Sequence, residues 1–155
     1  MWQPLQRYSG LDSQSQRIFW RAAILLPLVR ASLRIRGYNQ TYSSLQKRLR
    51  SDVPAPLAQF TMQEEARKTC RMVHAAMRYS PLKFTCLEES LTLWFLLRKQ
   101  GICSRLRIGV RKTNEKFEAH AWVELAGKAL NQPEHLHRHY AAFDKEFSEP
   151  PAEPS

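Results

Sequence analysis

The clearest alternation of apolar and polar positions lies in the second half of the chain, and it predicts two neighbouring β-strands. In the segment FEAHAWVEL, at 117–125, every second residue is apolar, and the positions between them carry Glu118, His120, Trp122 and Glu124. Successive side chains of a strand point to opposite faces, so His120 and Trp122 should lie on the face opposite the apolar set. The preceding segment SRLRIGVRK alternates in the same way, and 113–116 would form the hairpin loop.

Helix signals dominate the first half of the chain. Three helices are predicted, at 13–36, about 41–50 and 61–79. Ser13 is a candidate N-cap for the first helix, Gly37 should end it and Pro27 should kink it. Thr61 and Glu64 have the spacing of a capping box at the start of the third. An apolar run then predicts a fourth helix (TCLEESLTLWFLLRKQG). The expected fold is therefore α+β: a helical N-terminal half, then a cysteine-bearing helix packed on a small antiparallel sheet.

Cys86 should begin that fourth helix, because Thr85 and Glu88 have the spacing of a capping box. Unpaired N–H groups and the positive end of the dipole at a helix N-terminus favour a thiolate and can stabilise an oxyanion. The alternative is a cysteine that only packs in the core. His120 on a polar strand face favours catalysis, since cysteine on a helix start followed by histidine on a strand is typical of papain- and transglutaminase-type thiol sites.

A third group should orient the imidazole in such a site. A turn at Gly127 would allow 129–132 to return as a third strand beside the histidine. Asn131 is the first candidate there and Gln132 the second, because an amide orients imidazole in some thiol enzymes. Asp144 lies further along and is less constrained. The alternative is that these amides only end a strand in a turn.

Two segments resemble the transglutaminase-like cysteine protease of lasso-peptide maturation systems, the microcin J25-processing type of leader peptidase: CLEESLTLWFLLRKQGICSRLRIGVRK and FEAHAWVELAGKALN. The resemblance rests on a helix-borne cysteine, an LLR-x-x-GI helix exit, an LRIGVRK strand and an AHAWVE strand, in that order and at close spacing. It covers 84–131 well and the arginine-rich segment at 19–49 more loosely. It implies a transglutaminase- or papain-like fold.

The resemblance also implies a function and a set of partners. Cys86 matches the nucleophile and His120 the base of a peptidase that removes the leader from a ribosomally made precursor peptide. The family's third residue is commonly an Asp about a dozen positions after the histidine, a neighbourhood that Asn131 and Gln132 occupy here. An amide can orient imidazole but cannot stabilise imidazolium as a charge would. ATP-dependent or ATP-stimulated cleavage, a separate leader-recognition protein and a macrolactam cyclase are implied, in a bacterial maturation system.

Length, charge and cysteine count bear on the number of domains, the cellular compartment and the type of partner. The 155 residues predict one domain at 1–147, with a helical lead-in at 13–80 and a catalytic core at 81–147, followed by a disordered Pro/Glu/Ser-rich tail at 148–155. The three cysteines do not have the spacing of a metal site, and their odd number argues against a disulfide framework. Free cysteines suit a reducing cytoplasm. No secretory signal or membrane-spanning segment is predicted. The net charge of +10 favours an acidic partner or substrate, a nucleic acid or an anionic membrane surface, although such charge usually marks a solvated face and no nucleic-acid motif accompanies it.

Three histidines near the end of the chain suggest a metal site only weakly. His135, His137 and His139 alternate as strand neighbours would, and imidazole is a common zinc ligand. No cysteine or carboxylate lies at ligand spacing, so a polar loop is the preferred interpretation. No cofactor-binding motif is recognised either, and ATP would act through the maturation complex.

Two alternatives to a peptidase stay open. Another thiol acyltransferase of the same fold would differ only in the nucleophile that resolves the thioester. A non-catalytic peptide-binding module would keep the fold without the reaction. Trp122, on the same strand face as His120, is a candidate wall of the substrate groove in any of these cases.

Overall fold

The first half of the chain forms two long helices. The computed structural model describes residues 10, 12–49, 59–133 and 140–142. Helix α1 spans Ser13–Leu49 and helix α2 spans Gln59–Tyr79. Within α1, Gly37 has non-helical dihedral angles (φ 78°, ψ 179°), a conformation that glycine adopts without the steric cost of a side chain. The predicted break between two helical segments at Gly37 is therefore confirmed.

The helix starts differ from the predicted caps. Asp12 rather than Ser13 caps α1, because its carboxylate accepts hydrogen bonds from the Ser15 N–H (3.3 Å) and hydroxyl (2.6 Å). These bonds, above all the one from the hydroxyl, lower the pKa of Asp12. The predicted capping box at Thr61 is wrong, because α2 already begins at Gln59 and Thr61 lies inside its first turn.

Helix α3, Cys86–Lys99, lies at the centre of the fold. It contacts α1, α2 and the first two strands of the sheet. Residues 88–97 are all buried, and Leu91, Leu93 and Leu97 have no exposed surface. A helix that is buried all round has neighbours on every face, which fixes its position. The residue at its start is therefore held in place by the core.

The four strands form one antiparallel sheet in the order β3-β2-β1-β4. They are β1 (Arg105–Thr113), β2 (Lys116–Leu125), β3 (Lys128–Ala129) and β4 (Ala141–Ala142). Asn114 and Glu115 connect β1 to β2 with φ values of 47° and 67°, as a two-residue type I′ turn requires. Both long strands and their loop are confirmed. The third strand is shorter than the predicted 129–132, because the chain leaves the ladder after Ala129.

The two faces of the sheet have different surroundings. Val123 and Leu125 of β2 join the helical core. Gly109 of β1 is paired with His120, and those residues share the opposite face with Trp122. The α+β architecture is therefore confirmed. The division into lead-in, core and tail remains a prediction, and His135, His137, His139, Asp144 and the segment 148–155 lie outside the described residues.

Candidate active site

Cys86 is the first residue of α3, as predicted. Thr85 is the N-cap, with extended dihedral angles (φ −86°, ψ 164°). The Glu88 N–H donates to the Thr85 hydroxyl (3.3 Å), and the Thr85 N–H donates to the Glu88 carboxylate (2.7 Å). The capping box is therefore confirmed. It fixes the backbone on both sides of the half-buried Cys86.

The same capping box determines which backbone donors remain at the helix start. The Glu88 N–H is bonded to the cap side chain, and the Glu89 N–H donates to the Thr85 carbonyl (3.0 Å). The N–H groups of Cys86 and Leu87 have no earlier helical turn to supply an acceptor. Two adjacent donors beside a thiol are the arrangement that stabilises an oxyanion formed by attack of that thiol.

The three cysteines occupy different environments. Cys70 is buried on α2, and its thiol lies 3.6 Å from the Leu130 carbonyl. Burial, and secondarily the charge of Glu89, raises the pKa of Cys70 to about 12, which keeps it a neutral thiol at physiological pH. Cys103 is exposed between α3 and β1. Cys86 alone of these three combines partial exposure with a helix N-terminus.

His120 packs against two aromatic rings, Trp122 and Tyr140, whose own centroids lie 6.4 Å apart. The Trp122 ring stacks at 6.1 Å between centroids with an interplanar angle of 20°, and the Tyr140 ring lies at 5.2 Å and 33°. Tyr140 directly precedes β4, on the far side of β1 from His120. The sequence analysis missed this tyrosine, because nothing in the local pattern around it indicates that the short strand β4 pairs with β1.

Gly109 makes room for this aromatic group. A Cβ at that position would lie 2.9 Å from Trp122 Cη2 and 3.0 Å from both Trp122 Cζ3 and Tyr140 Cβ. Real Cβ atoms essentially never approach other heavy atoms closer than 3.0 Å. The absence of a side chain on β1 directly opposite His120 therefore lets Trp122 and Tyr140 approach each other over the strand, where both rings contact the imidazole.

Trp122 supports His120 rather than offering a free face. It is 1% exposed, and its indole N–H donates to Glu124 (2.9 Å). Glu124 in turn lies 3.5 Å from the Arg107 guanidinium. Contact between Trp122 and a substrate stays a prediction. In this structure the buried Trp122 ring packs against the imidazole of His120.

Asn131 is buried, with both ends of its amide engaged. Its Oδ1 accepts the Val123 N–H (2.9 Å), and its Nδ2 donates to Glu89 (3.1 Å) and to the Ser90 hydroxyl (3.0 Å). Beyond the two residues of β3, the Asn131 side chain thus takes the place of a backbone carbonyl as hydrogen-bond acceptor for β2. A hydrogen bond to the His120 ring is not among these contacts, and the predicted role of Asn131 or Gln132 in orienting the imidazole stays a prediction.

One hydrogen bond ties the start of α3 to the strand that carries His120. The Ser90 hydroxyl donates to the Ala121 carbonyl (3.0 Å). Ser90 lies about one helical turn after Cys86, and Ala121 follows His120 directly. Neither the Cys86 thiol nor the His120 ring makes a hydrogen bond within the described ranges, so this structure shows no direct bond between the two, and their catalytic roles stay predictions.

Comparison with known proteins identifies the family. Across the described part of the chain, none of the helices is long and apolar enough to span a membrane, and no group of three or more potential metal ligands is found. No curated protein and no solved structure matched the chain. The family model of the transglutaminase-like superfamily, which generally includes cysteine peptidases and acyltransferases, matches residues 23–143. The chain therefore belongs to the transglutaminase-like superfamily.

Proposed function

We propose that this chain is a cysteine peptidase that removes the leader peptide from a ribosomally made lasso-peptide precursor. The observation that carries the proposal is the placement of a half-buried cysteine at the capped start of α3, on a helix bonded to the strand residue that follows His120. The peptidase specificity rests on the sequence resemblance at 84–131. Membership in the superfamily supports thiol-based acyl transfer in general.

The proposed reaction uses two side chains and the helix start. His120 accepts the thiol proton, and the Cys86 sulfur attacks the scissile carbonyl carbon. The N–H groups of Cys86 and Leu87 stabilise the oxyanion that forms. As the C–N bond breaks, His120 gives its proton to the amine of the core peptide, which leaves with a free N-terminus. Water, deprotonated by His120, then hydrolyses the thioester and releases the leader as a carboxylic acid.

The proposed partners follow from the resemblance and from the charge of α1. The sequence of α1 contains six arginines, one lysine and no Asp or Glu, which favours an acidic binding partner. We assign the precursor peptide, a leader-recognition protein and a macrolactam cyclase to the reaction, in a reducing cytoplasm, with ATP acting through that complex. Cleavage stimulated by the recognition protein should weaken as salt rises, since the Debye length falls from about 10 Å at 0.1 M to about 3 Å at 1 M.

The test is cleavage of purified precursor by single variants, in the presence of the recognition protein. Cys86→Ala and His120→Ala should each lower kcat by orders of magnitude, whereas Cys103→Ser, which changes an exposed thiol outside the helix start, should retain activity. Leader release by the Cys86→Ala protein would refute the thiol mechanism. Transfer of the acyl group to an added amine without hydrolysis would favour the acyltransferase, and leader binding without any turnover would favour the peptide-binding module.

A further inference from the structure

A buried carboxylate lies three residues after Cys86 on α3. The Glu89 side chain is 11% exposed. Its Oε1 lies 2.8 Å from His74 Nε2 and accepts a hydrogen bond from Asn131 Nδ2 at 3.1 Å. A buried carboxylate needs such donors, because it has lost its hydration. His74 belongs to α2, and Asn131 to the segment after β3. Glu89 therefore connects three parts of the fold.

The connection continues to the backbone of β2. Asn131 Nδ2 also donates to the Ser90 hydroxyl, and Asn131 Oδ1 accepts the Val123 N–H. The Ser90 hydroxyl in turn donates a hydrogen bond to the Ala121 carbonyl. Each donor in this series of hydrogen bonds thus has an acceptor. It ends on the strand residue next to the proposed base.

We infer that Glu89 is a positioning residue, which holds the α3 turn that carries Cys86 at a fixed place beside the His120 segment of β2. The inference rests on the proposed roles of Cys86 and His120. Without the Glu89 carboxylate, the Asn131 amide loses an acceptor, and the link between α3 and β2 loses its rigid support. Catalysis is sensitive to such a change, because a displacement of about 1 Å can cost roughly 100-fold in rate.

His74 closes this network on the solvent side. Its side chain is half exposed, and the hydrogen bond to Glu89 raises the pKa of His74. The imidazole screens the carboxylate from water and orients the oxygen that Asn131 uses. The hydrogen bond from His74 therefore supports the Glu89 side chain, and His74 makes no hydrogen bond of its own to the backbone of α3 or β2 within the described residues.

The chain offers a matched control in Glu65 of α2. Its side chain is 17% exposed, and it accepts hydrogen bonds from Gln14 (2.8 Å) and Lys68 (3.3 Å). Glu65 is thus a comparably covered carboxylate that joins α1 to α2. Its hydrogen bonds reach neither α3 nor β2. Loss of Glu65 should lower stability without moving Cys86.

The experiment compares Glu89→Ala, Glu89→Gln and Glu65→Ala in precursor cleavage and in alkylation of Cys86 by iodoacetamide, mapped by mass spectrometry. Glu89→Ala should lower kcat and the alkylation rate by about 100-fold, with KM changed much less. Glu89→Gln keeps an oxygen acceptor for Asn131 and should recover to within about tenfold. Glu65→Ala should keep the wild-type kcat and alkylation rate, even if its unfolding midpoint falls as much as that of Glu89→Ala.

Two results would overturn the inference: equal kcat for Glu89→Ala and Glu65→Ala where both are folded, or an unchanged alkylation rate in Glu89→Ala. Alkylation needs no precursor, so it judges Glu89 even if the proposed substrate is wrong. If Glu89→Ala does not fold, Ser90→Ala keeps the Glu89 carboxylate and removes the two hydrogen bonds of the Ser90 hydroxyl, to the Ala121 carbonyl and from Asn131 Nδ2. A wild-type kcat and alkylation rate in Ser90→Ala would then reject the inference, and a reduced kcat at unchanged KM would support it.

Discussion

Substitution of Gly109 by alanine tests whether the aromatic group around His120 depends on the missing side chain of β1. The new methyl would approach Trp122 Cη2 at 2.9 Å and Tyr140 Cβ at 3.0 Å, about 0.5–1 Å inside the best separation of two carbon atoms. The Tyr140 Cβ is fixed by its backbone and cannot rotate away. Overpacking of this kind costs about 1–3 kcal/mol, which lowers the folding equilibrium constant roughly 5- to 150-fold.

The assay combines urea unfolding, followed by tryptophan fluorescence, with precursor cleavage under conditions where the variant remains folded. Gly109→Ala should lose stability and also kcat, because Trp122 and Tyr140 must shift and both rings contact the imidazole. Gly37→Ala is the control: its φ of +78° strains any side chain, but beyond the adjoining backbone of its own helix no described atom lies within 4 Å of the added Cβ. It should lose stability and keep kcat. Wild-type stability in Gly109→Ala, or a normal kcat despite the loss, would refute the reasoning.

Three further predictions follow from the environments of single residues. In a Cys103→Ser background, iodoacetamide at neutral pH should leave Cys70 unmodified, because burial raises its pKa to about 12; peptide mapping checks this. His74→Ala should reduce the free energy of unfolding most at about pH 6 and progressively less at higher pH. Glu89 raises the folded-state pKa of His74 above the unfolded value of about 6.5. The stability that His74 contributes is therefore complete below the unfolded pKa and is lost as pH rises through the folded-state pKa. Urea titrations of wild type and His74→Ala at each pH measure the difference. Asn131→Asp should destabilise the protein more at pH 7 than at pH 4, since it would place a second carboxylate against Glu89, and equal unfolding midpoints at both pH values would contradict this.

Local signals in the sequence were sufficient for the elements that carry the candidate catalytic pair. The capping residues Thr85 and Glu88 predicted the start of α3 correctly, because a cap is decided within four residues. Strict alternation at 117–125 predicted β2 and the face of His120, because register follows side-chain period. Gly37 marked the break in α1 for a similarly local reason.

Contacts between distant segments could not be predicted in this way. Tyr140 reaches His120 only because β4 pairs with β1 at Gly109 and Val110, and a two-residue strand has no periodicity to detect. The partners of Asn131 depend on how α3 lies against β2. Sequence spacing after the histidine suggested that Asn131 orients the imidazole, whereas the hydrogen bonds of the buried amide go to a carboxylate, a hydroxyl and a backbone N–H.

The account depends most on a functional link between Cys86 and His120, and alkylation kinetics test that link most directly. In a Cys103→Ser background, the second-order rate of iodoacetamide modification at Cys86 is measured by mass spectrometry between pH 5 and pH 9, with and without His120→Ala. If His120 is the base, its loss should slow modification of Cys86 at neutral pH by at least about tenfold, with a smaller difference at the alkaline end of the range. Equal rates with and without His120 across the whole range would contradict the proposed catalytic pair.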